Sequence, residues 1–171
     1  MRTLKVILFL IFGLKGQCQN LILYTDTTNH FSIGIPSAWE FKAAKTIGPG
    51  IKLIVNRPNE KDSEMFVENF NVNVIHFPNS NIEMAYSDLK DNISKRKGYE
   101  FISESDTIIN GMKYKWHLEK HANVQTSQPM MALIILGYKN DNGYMVTLAT
   151  SEQSFPRYYT LFKKIAGTFG L

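Results

Sequence analysis

Residues 66–77 read FVENFNVNVIHF, and the alternation of apolar and polar residues within this stretch is the main signal for the fold. Apolar residues and amides take turns along it, namely Phe70, Val72 and Val74 against Asn69, Asn71 and Asn73. A period of two places the apolar set on one face of a β-strand and the amides on the other, whereas a helix would scatter both sets around its axis. The stretch therefore predicts a strand in a sheet that has one well-packed face.

Similar patterns on both sides of this stretch predict further strands. They lie at residues 21–25, 31–35, 40–44, 51–55, 99–109, 113–119, 130–138 and 144–150. The segment 130–138 is almost continuously apolar, which is typical of a central strand that is covered on both faces. Asn110-Gly111 is the strongest hairpin-turn signal in the chain, because both residues tolerate a positive φ. We therefore expect a sheet of many strands joined largely by hairpins.

Two helices complete the predicted set of elements. The first begins at Ser80, which has the spacing of a capping box with Glu83, and it carries the basic run 95–97 in its last turn. The second begins at Ser154, with Pro156 in its first turn, where a missing N–H costs little. Apolar stripes at helical spacing are formed by Ile82, Ala85, Tyr86, Leu89 and Ile93, and by Tyr158, Phe162, Ile165, Ala166 and Phe169.

The first 18 residues have the features of a signal peptide. A basic start precedes an apolar run at residues 6–14, which is too short for a stable membrane anchor but fits a secretory leader. We predict cleavage between Cys18 and Gln19, export to the periplasm or the medium, and no transmembrane span once the leader is removed. The alternative is a lipid anchor on Cys18, the single cysteine of the chain.

Length and charge limit the classes of function. The 171 residues predict one domain after the leader, over residues 19–171, and 44% hydrophobic with 20% charged residues is an ordinary globular composition. Three cations lie in the leader, so its removal lowers the formal charge from +4 to +1. A nearly neutral domain gives no electrostatic reason to expect binding to nucleic acid or to anionic lipid.

The sequence lacks the common catalytic patterns. It has no Gly-rich phosphate loop, no Gly-x-Ser-x-Gly motif and, after the leader, no cysteine for a Cys–His nucleophile. His117 and His121 are four residues apart, which on a strand separates them by about 13 Å and prevents them from sharing one metal ion. We therefore predict a non-enzymatic protein without catalytic, cofactor-binding or metal-binding residues.

Short motifs across most of residues 19–171 match a known family. They are Tyr24, Asn29-His30-Phe31-Ser32-Ile33, Ile35-Pro36, Trp39, Glu68-Asn69-Phe70-Asn71-Val72, the helix from Ser80, Ile109-Asn110-Gly111, and Phe155, Phe162, Ile165 and Thr168-Phe169. In these motifs the chain resembles the PsbP-like superfamily, which includes small secreted bacterial proteins of the DcrB type. The resemblance implies an α+β fold in which an antiparallel β-sheet is packed between helices, an α/β/α sandwich.

The same resemblance implies no shared activity. Members of the wider fold act as photosystem assembly subunits, as a binder of the Ran GTPase and as chaperones for exported toxins, and none of their functional residues can be placed on this sequence. The resemblance therefore favours a binding or assembly role over catalysis, by analogy of fold alone.

Three interpretations of function remain. The first is an envelope protein that binds another envelope protein or helps a complex assemble, with Asn69, Asn71 and Asn73 as the candidate partner-binding face; we call these three residues the amide row. A purely solvated outer face would also explain that row. The second is a small-ligand or lipid carrier with an aromatic pocket between sheet and helix. That pocket would be lined by Tyr114, Trp116 and Phe162. The third is a hydrolase of an unrecognised type.

Overall fold

The computed structural model describes residues 20–43, 50–60 and 66–171, and the predicted leader at residues 1–18 lies outside these ranges. In chain order the elements are β1 (Leu21–Asp26), β2 (Phe31–Pro36), β3 (Glu40–Ala43), β4 (Ile51–Asn56), β5 (Asn69–His76), α1 (Ile82–Ile93), β6 (Glu100–Ile109), β7 (Met112–Ala122), β8 (Pro129–Lys139), β9 (Asn142–Ser151) and α2 (Phe155–Ala166). No helix within the described ranges is both long enough and apolar enough to cross a membrane.

Seven strands form one antiparallel sheet in the order β3-β4-β5-β9-β8-β7-β6, while β1 and β2 pair as a separate hairpin. Strands β6 to β9 are a meander of successive hairpins, and Asn110 and Gly111 adopt the positive φ angles predicted for the first of their turns. β8 is bonded on both sides and buried along most of its length, so the predicted central strand is confirmed. The predicted α+β fold with an antiparallel sheet between helices is confirmed as well.

The face of the sheet towards α2, called here the α2 face, is the apolar core. Phe70 and Val72 of β5 are fully buried on it, as the alternation predicts. They pack with a larger apolar set that includes Phe31, Ile33, Leu53, Leu133, Ile135, Val146, Leu148, Phe162, Ile165 and Phe169. Each such side chain contributes about 1.5–3 kcal/mol when it is removed from water, so this face supplies most of the stability.

The β1–β2 hairpin is tied to the end of α2 by hydrogen bonds. Ser32 and Gly170 exchange two backbone bonds of 2.9 Å, and Gly34 N–H donates to Thr168 Oγ1 at 2.7 Å. A Cβ on Gly34 would lie 2.9 Å from that Oγ1, so this close approach requires glycine. The hairpin therefore closes the core beside α2.

The opposite face, called here the α1 face, is covered only in part. Ala85, Tyr86 and Ile93 are the buried residues of α1, which packs mainly on β8 and β7. Below the helix the sheet presents Ala132, Ile134 and Leu136 of β8. Neither described helix packs on the α1-side surface of β5 and β4, which we call the open half of the α1 face.

The start of α1 differs from the prediction by one residue. Asn81 is the N-cap, because its side-chain Oδ1 accepts hydrogen bonds of 3.0 Å from the backbone N–H groups of Glu83 and Met84. The Ser80 hydroxyl points to the carbonyl of Asn81 instead. The Glu83 carboxylate pairs with lysines of β7. The predicted capping box of Ser80 and Glu83 is therefore wrong.

The helix termini hold two further differences. α1 ends at Ile93, so the basic run 95–97 lies beyond its last turn, where the basic residue is Lys90. Gly98, which follows that basic run, adopts a left-handed conformation with a φ of 68°. Ser154 occupies the N-cap position of α2 as predicted, but its side chain makes no capping hydrogen bond.

Candidate functional site

The amide row lies on the α1 face, within its open half. In the β5–β9 register Asn69 stands opposite Ala149, Asn71 opposite Thr147 and Asn73 opposite Met145. The three amides are half-buried and point the same way, as the alternation predicts. Their function as a partner-binding face stays a prediction.

Side-chain hydrogen bonds orient all three amides. Asn73 Nδ2 donates to Asn71 Oδ1 at 2.6 Å, and Asn69 Nδ2 donates to the Val67 carbonyl at 2.9 Å. Since each amide carries two N–H donors and an oxygen with two lone pairs, these bonds use only part of their capacity. The row is therefore a preoriented polar surface with donors and acceptors to spare.

Under α1 lies a polar cluster that the sequence interpretation missed, centred on His117 of β7. His117 is fully buried, with Nδ1 2.9 Å from the Tyr86 hydroxyl and Nε2 3.5 Å from the Tyr99 hydroxyl. The Tyr86 hydroxyl also donates to Glu104 Oε2 at 2.8 Å, and the Tyr99 ring is stacked on the imidazole. The cluster thus joins α1 to β6 and β7 through one histidine.

The geometry determines which imidazole nitrogen carries the proton. Tyr86 has one hydroxyl proton, and the Glu104 carboxylate can only accept, so that proton lies on the Tyr86–Glu104 bond. His117 Nδ1 must then donate to the Tyr86 oxygen, which leaves the Nε2 lone pair facing the Tyr99 hydroxyl. The hydrogen bonds therefore run in one direction, from Tyr99 through His117 and Tyr86 to Glu104.

The pKa shifts agree with this arrangement. Burial lowers the pKa of His117 below its usual 6.5, against the opposing pull of two carboxylates, so the neutral ring is favoured. Burial, followed by the bond to Glu104, raises the pKa of Tyr86 well above 10. The hydrogen bond from Tyr86 lowers the pKa of Glu104, which keeps its carboxylate ionised as the final acceptor.

A second buried group, the Glu119 carboxylate, lies two residues further along β7. Its Oε1 forms a short ion pair with Arg96 Nη1 and lies 3.3 Å from His121 Nδ1. Its Oε2 is 4.0 Å from His117 Nε2 and makes no hydrogen bond within the described part of the chain. A buried carboxylate needs a counter-ion, and Arg96, just beyond α1, supplies it.

These two groups fix α1 on the sheet and do not form a catalytic centre open to a substrate, since His117 and Glu119 are both fully buried. His117 and His121 lie on one continuous strand, as predicted. Across residues 20–43, 50–60 and 66–171, no group of three or more His, Cys, Asp or Glu side chains is placed to hold a metal ion.

The residues predicted to line an aromatic pocket between α2 and the sheet belong to the core. Tyr114 and Phe162 are fully buried within it, and Trp116 is half-buried against its margin. The face assignment of these residues is right, and Phe169 packs with them in the same core. Tyr114 also lines a depression of about 430 Å³ beside the β1–β2 hairpin, but Trp116 and Phe162 do not, so a carrier pocket lined by all three stays a prediction.

Two depressions do exist on the α1 face, and Arg96 borders both. A groove of about 300 Å³ separates α1 from β5 and β9, with mainly apolar walls that include Phe77, Leu89, Leu136 and Met145. A second depression of about 530 Å³ lies between residues 121–125 and β9. We call the three basic residues that line it, Arg96, Lys97 and His121, the basic corner.

The sequence could have suggested that α1 buries polar residues of a strand. The apolar stripe of α1 must cover part of a sheet face, and Tyr86 at its centre carries a hydroxyl that needs a partner. His117 and Glu119 alternate with the apolar residues of β7 and thus belong to the face that α2 does not use. The sequence does not show which of the outward polar residues the helix covers.

The comparisons with known proteins agree with this architecture. The family model described as PsbP matches residues 19–171. No curated protein matches the chain. Among solved structures, cyanobacterial PsbP (CyanoP) from Synechocystis sp. PCC 6803 is similar at 18% identity and a TM-score of 0.64, over 88% of this chain and 92% of that one.

Two further structures share the fold. A protein of unknown function from Pseudomonas aeruginosa, described as a putative regulator, has 15% identity and a TM-score of 0.59, over 86% of this chain and 94% of that one. LpqN, described as involved in cell envelope biogenesis of Mycobacterium tuberculosis, has 5% identity and a TM-score of 0.62, over 88% and 89% of the two chains. Identities this low show the fold alone.

Proposed function

Because the chain belongs to the PsbP family, we propose that it is an exported, non-enzymatic accessory protein that binds another envelope protein through the open half of its α1 face. The observation that carries this proposal is that open half itself. One face of the sheet is fully packed under α2, while β5 presents the half-buried amide row, flanked by half-buried Ile54 of β4, on a surface that neither described helix covers.

The chemistry of the open half suits a protein partner. The amide row offers oriented donors and acceptors about 6.6 Å apart along β5, a spacing that matches the alternate residues of an extended chain. The basic corner adjoins the row at Thr147 and Ala149. Amides on a rigid strand give orientation and specificity at low cost, since the sheet already fixes them.

The partner can be identified by crosslinking the tagged protein in its native envelope. Replacing Asn69, Asn71 and Asn73 together by serine keeps the face polar but shortens its reach. Affinity for the crosslinked partner should then fall at least about tenfold, or about 1.4 kcal/mol, with the melting temperature close to wild type. Gln153→Ser, at an exposed amide in the turn before α2, is the control and should leave affinity unchanged. Unchanged affinity in the triple variant contradicts the proposal.

Export is the step that would bring the protein to the envelope, and it is tested separately. Mass spectrometry of the native protein should find an amino terminus at Gln19. An added diacylglycerol on Cys18 would instead show that the protein is lipid-anchored, and an intact Met1 would contradict export.

A small-ligand or lipid carrier is the second candidate function, and one observation favours it. The groove beside α1 has a volume of about 300 Å³ and mainly apolar walls, at the lower end of the range for small-ligand sites. A fluorescent fatty acid should bind there, and Leu89→Arg should abolish the fluorescence change. Binding that Leu89→Arg leaves intact contradicts a carrier function of this groove.

A further inference from the structure

The basic corner is continuous with the amide row. Thr147 and Ala149 line the corner, and they stand directly opposite Asn71 and Asn69 in the β5–β9 register. A ligand that lies along β5 and crosses β9 therefore reaches Arg96, Lys97 and His121 without leaving the surface. The corner and the row form one polar surface with cations at one end.

The charged side chains that line this depression are positive. Among the described residues that line the depression, Arg96 and Lys97 are cations, the others are imidazole, amide, hydroxyl or apolar, and none is Asp or Glu. The nearby Glu119 carboxylate is fully buried and already paired with Arg96. Arg96 is one-third exposed and has five N–H donors, so the ion pair leaves donors free to face the depression.

The corner is also preformed. The Ala122 N–H donates to the Lys97 carbonyl at 2.8 Å, which joins the segment after α1 to the end of β7. Lys97 Nζ lies 3.4 Å from Ser127 Oγ, a neutral partner, and forms no ion pair with another described residue. Two segments from different parts of the chain are thus held so that their basic side chains line one depression.

From these observations, and resting on the function proposed above, we infer that the partner contributes an acidic segment, whose carboxylates bind Arg96, Lys97 and His121 while its backbone continues over the amide row. Carboxylates form charge-assisted hydrogen bonds with guanidinium and ammonium groups, which are stronger than neutral ones. Complementary charge also speeds the encounter and fixes the register of an extended segment.

A hexaglutamate peptide tests this inference directly, with hexalysine as the control peptide. At low salt (about 20 mM, where surface charges are weakly screened) hexaglutamate should bind and should shift the backbone NMR signals of Thr147, Ala149 and Asn71. Lys97→Glu should weaken this binding at least about tenfold. The neighbouring exposed Lys95, which does not line the corner, is the matched control, and Lys95→Glu should change binding less than about twofold. Arg96 is left unchanged because it also neutralises Glu119.

The outcomes separate this inference from the proposed function. No hexaglutamate binding, or equal losses in Lys97→Glu and Lys95→Glu, overturns the acidic segment but leaves the amide-row test with the crosslinked partner untouched. If inorganic phosphate at the same concentration shifts the same amides as far, the corner is a general anion site and the inference is wrong. Unchanged melting temperatures in both variants ensure that a loss reflects binding.

Discussion

The two faces of the seven-stranded sheet are made by alternate residues of the same strands, yet they are built on different chemistry. The α2 face is apolar, continuous and sealed by a helix and a hairpin. The α1 face is covered over only part of its area, and α1 is held there by a smaller apolar contact together with buried hydrogen bonds and an ion pair around His117 and Glu119. The difference indicates that this fold concentrates its apolar packing, and with it most of its stability, on one face of the sheet.

Removing a large side chain from the core on the α2 face should have the largest effect on stability. Phe162→Ala removes a fully buried ring at the centre of that core and should lower the free energy of unfolding by about 3–5 kcal/mol, measured by urea denaturation. Ile108→Ala is the control, because this side chain is 75% exposed on the edge strand β6 and should change stability by less than about 0.5 kcal/mol. A loss below about 1 kcal/mol for Phe162→Ala would contradict the concentration of stability on this face.

Removing the charge of Glu119, on the α1 face, should lower the free energy of unfolding by an intermediate amount. Glu119→Gln keeps the shape but leaves Arg96 without its counter-ion and should cost about 2 kcal/mol, less than a fully buried pair because Arg96 can reach water. The surface pair of Lys120 and Glu152 provides the comparison, and Glu152→Gln should cost less than about 1 kcal/mol in the same denaturation experiment. Equal losses of stability for the two replacements would show that burial of Glu119 does not strengthen its ion pair.

The smallest effect should be a pH dependence specific to the α1 face. The folded pKa of His117 is lowered by burial, so the unfolded chain binds the extra proton first as the pH falls. The stability due to neutral His117 is therefore complete above about pH 6.5 and is lost below it, by at most about 1.4 kcal/mol per pH unit. Unfolding midpoints between pH 7.5 and 5 should decline more steeply for the wild type than for His117→Gln. Equal slopes for the two proteins would contradict a buried neutral imidazole.

Local patterns were sufficient to predict most of the fold. The alternation in β5, the apolar run of β8 and the Asn110-Gly111 turn each depend on residues that are close in sequence, and the structure confirms all three. The cap of α1 was misplaced because Ser80 and Asn81 are both good N-cap residues, and backbone conformation decides between them.

The site depends on contacts that sequence patterns do not carry. His117 is buried because Tyr86, 31 residues away, places α1 above it, and no local pattern distinguishes His117 from an exposed residue on the same face of β7. The predicted aromatic pocket depends on distant contacts as well. The faces of Tyr114 and Phe162 follow from periodicity, but whether the space beside them is filled depends on Phe31 of the distant hairpin and on Phe169.

The pairing of β5 with β9 also determines the order in which the chain can fold. β6 to β9 pair with neighbours in sequence, and so do β3 to β5, whereas Asn69 of β5 pairs with Ala149 of β9 about 80 residues later. The edge of β5 that pairs with β9 therefore stays open until most of the chain is present, and an unpaired strand edge favours aggregation. Three amides make one face of β5 hydrophilic, which lowers the tendency of this strand to associate with other chains before β9 pairs with it.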